Sequence, residues 1–167
     1  AITIRGSGPV GTYQIDQSEV PSITLSSSLD EAILGADAIF ITGPVLKQRT
    51  YAMVLGGHLN DGQVVVIAPA RTLGAVETAW YLRVGGNSSA ISIIVLQSLP
   101  FWVDDRGGTL YLTETGPVTT AVLPCGNTGV LRTMAALIPG LVPVASVLHS
   151  GFGDASGLVE VVGLTLG

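Results

Sequence analysis

Two short, wholly apolar runs, residues 38–41 and 64–68, constrain the fold of this chain more than any other feature. The segment between them places its apolar residues at helical rather than alternating spacing, which is the pattern of a strand, a crossover helix and a second strand. Strands that are apolar at every position are buried on both faces, as in parallel sheets covered by helices. The sequence therefore predicts a parallel α/β sheet.

Each apolar run ends in small, turn-forming residues. Ligands of parallel sheets bind beyond the carboxyl ends of the strands, where these two turns should meet. Glycine lets a ligand approach the backbone closely, so we expect Gly43 and Ala70 to form the floor of a nucleotide crevice. Arg71 stands at its edge, where its guanidinium group contacts either an anionic ligand or a protein carboxylate. The predicted lining is Thr42, Gly43, Pro44, Val45, Ala68, Pro69, Ala70 and Arg71.

A stretch near the N-terminus, from Gly6 to Gly11, matches the letters G-x-G-x-x-G of dinucleotide-binding loops. Such a loop must lead into a helix whose first N–H groups hold the pyrophosphate. The residues that follow, 12–16 and 23–25, instead have the composition of strands. We interpret the stretch as a hairpin with its turn at residues 8–9, and we expect it to bind no phosphate.

Further patterns predict local structure. Serines 26–28 and the acidic residues after them indicate a helix start, and Thr72 is expected to cap the helix after the second apolar run. Residues 109–113 and 118–123 alternate as an antiparallel pair at the sheet edge. We interpret His58 as a surface residue or a charge–dipole contact at a helix end, with no partner that would make it a base or a ligand. We interpret Cys125 as a small buried filler rather than a reactive thiol at a helix start.

Composition narrows the functional classes. The 167 residues, 47% of them apolar, suffice for one core and the start of a second domain, which we place at 1–145 and 146–167. The net charge of −5 with only seven Lys and Arg argues against a nucleic-acid partner. No apolar run reaches about eighteen residues, so we expect no membrane span. The single cysteine excludes a disulfide framework, and we expect a cytoplasmic protein. Because the chain starts at Ala1, we expect a piece of a longer protein.

Three ordered stretches resemble the cofactor domain of the octopine/nopaline dehydrogenases: residues 29–44, residues 59–75, and residues 97–106 with the later 122–124. Members of that family are NAD(P)-dependent oxidoreductases that reductively condense an amino acid with a keto acid. The resemblance implies a Rossmann-like, mostly parallel α/β sheet with helices on both faces. It also implies that the sheet is incomplete at the N-terminus, because the family's first strand, glycine loop and helix precede the equivalent of Ile2. A second, helical domain is implied to start near the end.

The resemblance further implies a function. NAD or NADP would lie across the crevice, and a hydride would pass between its nicotinamide and a small imine or 2-keto acid. Glu160 aligns with a family histidine and is a candidate catalytic residue, or else a solvent-facing helix carboxylate. The alternative function is a non-catalytic binding or assembly subunit whose sheet is completed by a partner chain. In both cases we expect a homo-oligomer, or a partner segment, at the strand of residues 38–41.

Overall fold

The computed structural model of the chain describes residues 3–6, 14–15, 28–106 and 109–153. Its strands, numbered along the chain, are β1 (Thr3–Gly6), β2 (Gln14–Ile15), β3 (Ala38–Ile41), β4 (Val64–Ile67), β5 (Ser92–Leu96), β6 (Phe101–Arg106), β7 (Thr109–Glu114), β8 (Val118–Leu123) and β9 (Leu141–Pro143). Its helices are α1 (Leu29–Ile33), α2 (Val45–Leu55), α3 (Gly74–Val84), α4 (Thr128–Leu137) and α5 (Val147–Phe152). A short 3-10 turn, Gly56–His58, follows α2.

The central sheet has the strand order β3-β4-β5-β8-β9. Its first three strands are parallel, with Ala38 opposite Val64 and Val64 opposite Ser92. β8 runs antiparallel to β5, and β9 is parallel to β8. α2 connects β3 to β4 and α3 connects β4 to β5, which confirms the predicted crossover.

Burial on both faces accounts for this sheet. β4 is buried at all four positions and β5 at all five. On one face, Val65 and Ile67 pack with residues of α2, α3 and α5. On the other face, Val66 packs with Leu131 and Met134 of α4. Each fully buried valine or isoleucine contributes about 1.5–3 kcal/mol, so the apolar runs stabilise the fold only when helices cover both sides.

A second sheet has the strand order β2-β1-β7-β6. β1 pairs antiparallel with β2, with Ile4 opposite Ile15, and parallel with β7. This pairing confirms the predicted hairpin around the N-terminal glycines, although residues 7–13 lie outside the described part of the chain. Since Gln14 already belongs to a strand, the glycine stretch does not lead into the long helix that a dinucleotide loop needs.

The predicted pairing of residues 109–113 with 118–123 is wrong. β7 pairs with β6 and β1, whereas β8 lies between β5 and β9 in the central sheet, with Leu96 opposite Thr120. Val118, Ala121 and Val122 of β8 are buried, on both faces. A strand that is buried on both faces needs a neighbouring strand on each side. The threonines of β8 give it the alternating pattern of a half-exposed strand, so the sequence did not indicate this burial.

Two capping predictions have different outcomes. The Oγ of Ser28 accepts a hydrogen bond from the Glu31 N–H at 3.5 Å, which confirms the predicted start of α1. The predicted Thr72 cap is wrong, because α3 begins after Leu73, which adopts a left-handed conformation with φ of 60° and makes no side-chain cap bond. A non-glycine residue in that region is uncommon and marks a constrained turn.

Two isolated side chains also differ from expectation. His58 has a partner, because its Nδ1 lies 2.5 Å from Oδ1 of Asp30, which ties the 3-10 turn to α1. Cys125 is exposed in the turn before α4 rather than buried. The partner of His58 lies 28 residues away in the chain, which local sequence does not report.

α5 follows the predicted domain boundary at residue 145. Val147 of this helix is buried in the same cluster as β4 and α3. Residues 154–167 lie outside the described part of the chain, so the division into 1–145 and 146–167 stays a prediction.

The C-terminal ends of α2 and α3 meet through glycines. A Cβ on Gly56 would overlap the Leu82 carbonyl oxygen and lie 2.9 Å from the Gly85 carbonyl carbon. A Cβ on Gly85 would equally overlap the Met53 carbonyl oxygen. Backbone cannot move aside as the end of a flexible side chain can, so this helix contact requires glycine at both positions.

We expect Gly56→Ala to lower the free energy of unfolding by about 1–3 kcal/mol, the usual cost of overpacking. Gly57→Ala is the matched control, because a Cβ there would have its nearest neighbour, the Gly85 carbonyl oxygen, at 3.4 Å. Urea denaturation of the full chain measures both variants. Equal losses of stability in the two would contradict the proposed close contact.

Candidate functional site

The two predicted turns lie side by side at the carboxyl ends of β3 and β4. Ile41 stands opposite Ile67, so both strands end at the same level. The Ala68 N–H donates to the Ile41 carbonyl oxygen at 3.1 Å, and the Ala70 N–H donates to the Leu96 carbonyl oxygen at 2.7 Å. Backbone hydrogen bonds thus hold the ends of three parallel strands together, and residues 42–45 and 68–71 share one edge of the sheet.

A buried glutamine that sequence reasoning missed also joins the two turns. Gln48, in the first turn of α2, is 6% exposed. Its Nε2 donates to the Pro69 carbonyl oxygen at 2.9 Å and to the Gly43 carbonyl oxygen at 3.4 Å. Glutamine is ordinarily an exposed residue, so its residue type gives no sign of burial. The only sequence signal was its position in the first turn of the helix that we predicted to start near Pro44.

The lining is mostly small and uncharged. Exposure falls from the outer turn to the inner one: Thr42 and Pro44 are exposed, Gly43, Val45, Pro69 and Arg71 are half-buried, and Ala68 and Ala70 are buried. Arg71 brings a positive charge to the edge, as its position in the sequence suggested. The edge is thus lined by mostly small, uncharged side chains, with the cationic Arg71 beside them.

Gly43 has a structural role that its sequence context does not reveal. A Cβ on Gly43 would lie 2.7 Å from Cε2 of Tyr51, whose ring packs over this position from α2. Both residues line a cleft of about 570 Å³ along β3 and α2, together with Phe40 and Val54. The side of Gly43 that lacks a side chain therefore faces the Tyr51 ring, at the border of this cleft.

The residues present fit part of a nicotinamide dinucleotide. Small, half-buried side chains suit a flat ring and a ribose. A complete G-x-G-x-x-G loop leading from a strand into a helix is not present in the described part of the chain. The site therefore fits the nicotinamide end of such a cofactor better than its pyrophosphate.

Other chemistry has less support among the described residues. Within them, no group of three His, Cys, Asp or Glu side chains could hold a metal ion. Glu160 lies outside the described ranges, so its catalytic role stays a prediction. No helix in those ranges is long and apolar enough to cross a membrane.

Comparison with known proteins gives the fold and a resemblance. No family model matches the chain. Over 163 residues it is 26% identical to an opine dehydrogenase from Arthrobacter sp. (strain 1C), and the match covers 96% of this chain and 43% of that protein. The fold is similar to that of octopine dehydrogenase solved with NADH and L-arginine, with a TM-score of 0.72 at 14% identity over 94% of this chain and 40% of that one.

A third protein has a similar fold. A 2-dehydropantoate 2-reductase from Geobacter metallireducens has a TM-score of 0.57 at 11% identity, over 85% of this chain and 44% of that one. The chain thus spans less than half the length of each of these three proteins. Sequence and fold together confirm that this chain, with its Rossmann-like sheet, resembles the opine dehydrogenase family.

Proposed function

We propose that this chain is the cofactor-binding part of an NAD(P)-dependent oxidoreductase of the opine dehydrogenase type. The observation that carries the proposal is the meeting of residues 42–45 and 68–71 at the carboxyl ends of β3 and β4. Parallel α/β sheets bind their ligands at this edge. The similarity to the Arthrobacter opine dehydrogenase, over nearly the whole chain, supports the same function.

In this proposal residues 42–45 and 68–71 hold the nicotinamide and its ribose, and Arg71 lies near a negatively charged group. The bound cofactor supplies hydride transfer to or from a small imine or 2-keto acid. Ala68 and Ala70 are buried and present only methyl groups beneath the ring. The octopine dehydrogenase structure solved with NADH and pyruvate supports this substrate class. A cytoplasmic location is part of the proposal.

The direct test is titration of NADH and NADPH into the full-length protein, followed by cofactor fluorescence. We expect at least one of them to bind, and to be oxidised when a 2-keto acid and an amino acid are both supplied. Lack of affinity for both cofactors would contradict the proposal and favour a non-catalytic binding or assembly subunit.

Gly43→Val should weaken cofactor binding by about 1–3 kcal/mol, the cost of overpacking a close-fitting site. The added side chain displaces the Tyr51 ring, so the dissociation constant is also compared between Tyr51→Ala and the double variant Gly43→Val with Tyr51→Ala. If Gly43 forms part of the floor, the added valine lowers affinity in both backgrounds.

Gly126→Val is the matched control for this substitution. A Cβ on Gly126 would have no neighbour within 4 Å. The adjacent Asn127 donates a hydrogen bond to Ser92, at the amino end of β5, whereas the two turns follow the carboxyl ends of the parallel strands. Gly126→Val should therefore bind cofactor as the wild type does. Unchanged affinity in Gly43→Val would place the crevice elsewhere.

Arg71→Ala should raise the dissociation constant for the cofactor several-fold at low salt. If the contact is exposed to solvent, the difference should shrink as ionic strength rises, because salt screens exposed charges more than partly buried ones. Arg83→Ala is the control, since Arg83 lies in the last turn of α3 and is exposed. Fluorescence titrations at about 0.01 M and 1 M salt measure the effect. A dissociation constant equal to that of the wild type at about 0.01 M salt would remove Arg71 from the site.

The outer edge of β3 is a proposed pairing site. Among the described residues, β3 pairs with β4 alone. The carbonyl oxygens of Asp37 and Ile41 accept hydrogen bonds from the β4 side, so the alternate residues Ala38 and Phe40 direct their backbone groups outward. Open strand edges recruit further strands. We propose that a strand of the same polypeptide, from the first unit of the Rossmann domain, occupies this edge.

Amide hydrogen exchange in the full-length protein tests this pairing. The Ala38 and Phe40 amides should exchange as slowly as the Ile39 amide, which faces β4, and their rates should not depend on protein concentration. Protection that increases with concentration would instead indicate a second copy of the protein. Fast exchange at both positions would contradict any strand at this edge.

A further inference from the structure

Two buried glutamines bridge β3 and β4, one at each end of the strand pair. At the amino ends, Nε2 of Gln63 donates to the Ala36 carbonyl oxygen and its Oε1 accepts from the Asn60 N–H, both at 2.8 Å. At the carboxyl ends, Gln48 makes the bridge between the Gly43 and Pro69 carbonyl oxygens. Gln48 is 6% exposed and Gln63 is 8% exposed. Both glutamines are buried and make two side-chain hydrogen bonds to backbone, but only Gln48 adjoins the crevice.

The turns at the carboxyl ends have few backbone donors of their own. Pro44 and Pro69 carry no N–H, and the Ala70 N–H is already used on Leu96. The carbonyl groups of Gly43 and Pro69 therefore take their hydrogen bonds from the same side-chain nitrogen. Since the amide of Gln48 is planar and held by a buried position in α2, it fixes how far apart these two carbonyl groups lie.

We infer that Gln48 is a positioning residue for the cofactor, which sets the separation of the two turns on which the nicotinamide and ribose lie. The inference rests on the proposed function. Because Gln48 is buried beneath the turns, it acts through the Gly43 and Pro69 backbone rather than by touching the ligand. Its neighbour Tyr51 packs over Gly43 from the same helix, so α2 holds the outer turn through two side chains.

The test compares Gln48→Met with Gln63→Met in the full-length protein. Methionine keeps the length of the side chain and removes its two hydrogen bonds to backbone, so both variants should lose thermal stability. Only Gln48→Met should raise the dissociation constant for NADH, on the order of tenfold, which corresponds to about one hydrogen bond. In turnover, KM for the cofactor should rise in Gln48→Met far more than kcat falls.

A second substitution keeps the test decisive if Gln48→Met does not fold. Gln48→Asn keeps the amide but is one methylene shorter, so it can reach one carbonyl group and not both. It should show the same loss of NADH affinity with a smaller loss of stability.

Each outcome decides the inference. NADH affinity equal to that of the wild type in a folded Gln48 variant would overturn the positioning role, and so would an equal loss of affinity in Gln63→Met. A wild-type protein that binds neither NADH nor NADPH would overturn the proposed function itself. That failure is visible before any variant is made.

Discussion

Burial of β4 and β5 on both faces is the constraint on which the rest of the structure depends. Val65 and Ile67 point to one face, and Val66 points to the other, with no accessible surface on any of the three. A strand in this situation cannot exist without helices above and below and strands on either side. The crossovers through α2 and α3 satisfy that need, and they also bring two turns to one edge of the sheet. The candidate site thus results from the same crossovers that cover the core.

Much of this arrangement could be predicted from sequence, because the apolar runs and the turn residues after them act locally. The parallel strands, their crossover helices and the meeting of residues 42–45 with 68–71 follow from such signals. Contacts over long distances in the chain were not predictable in this way. Our prediction pairs β8 with β7, which is wrong, because the threonines of β8 resemble those of a half-exposed strand. Gln48 resembles any polar residue of a surface helix, so its burial was not predicted.

The candidate site divides its tasks between backbone and side chains. Backbone bonds from Ala68 and Ala70 fix the inner turn to β3 and β5. The outer turn contains Pro44 and an exposed Thr42, and it is held chiefly by side chains from α2 that pack on Gly43. This difference places the adjustable part of the site in α2, where substitutions change geometry without touching a ligand. The lining residues alone therefore do not describe the candidate site, because the α2 side chains behind them also set its geometry.

The glycine contact between α2 and α3 has a consequence for how far such a sequence can diverge. Gly56 and Gly85 meet backbone to backbone, so the position of one helix on the other does not depend on matching side chains there. Exposed residues on the same helices, such as Leu46 and Trp80, can be replaced without altering this contact between α2 and α3. A fold held in this way can retain its shape while the exposed side chains of the two helices change.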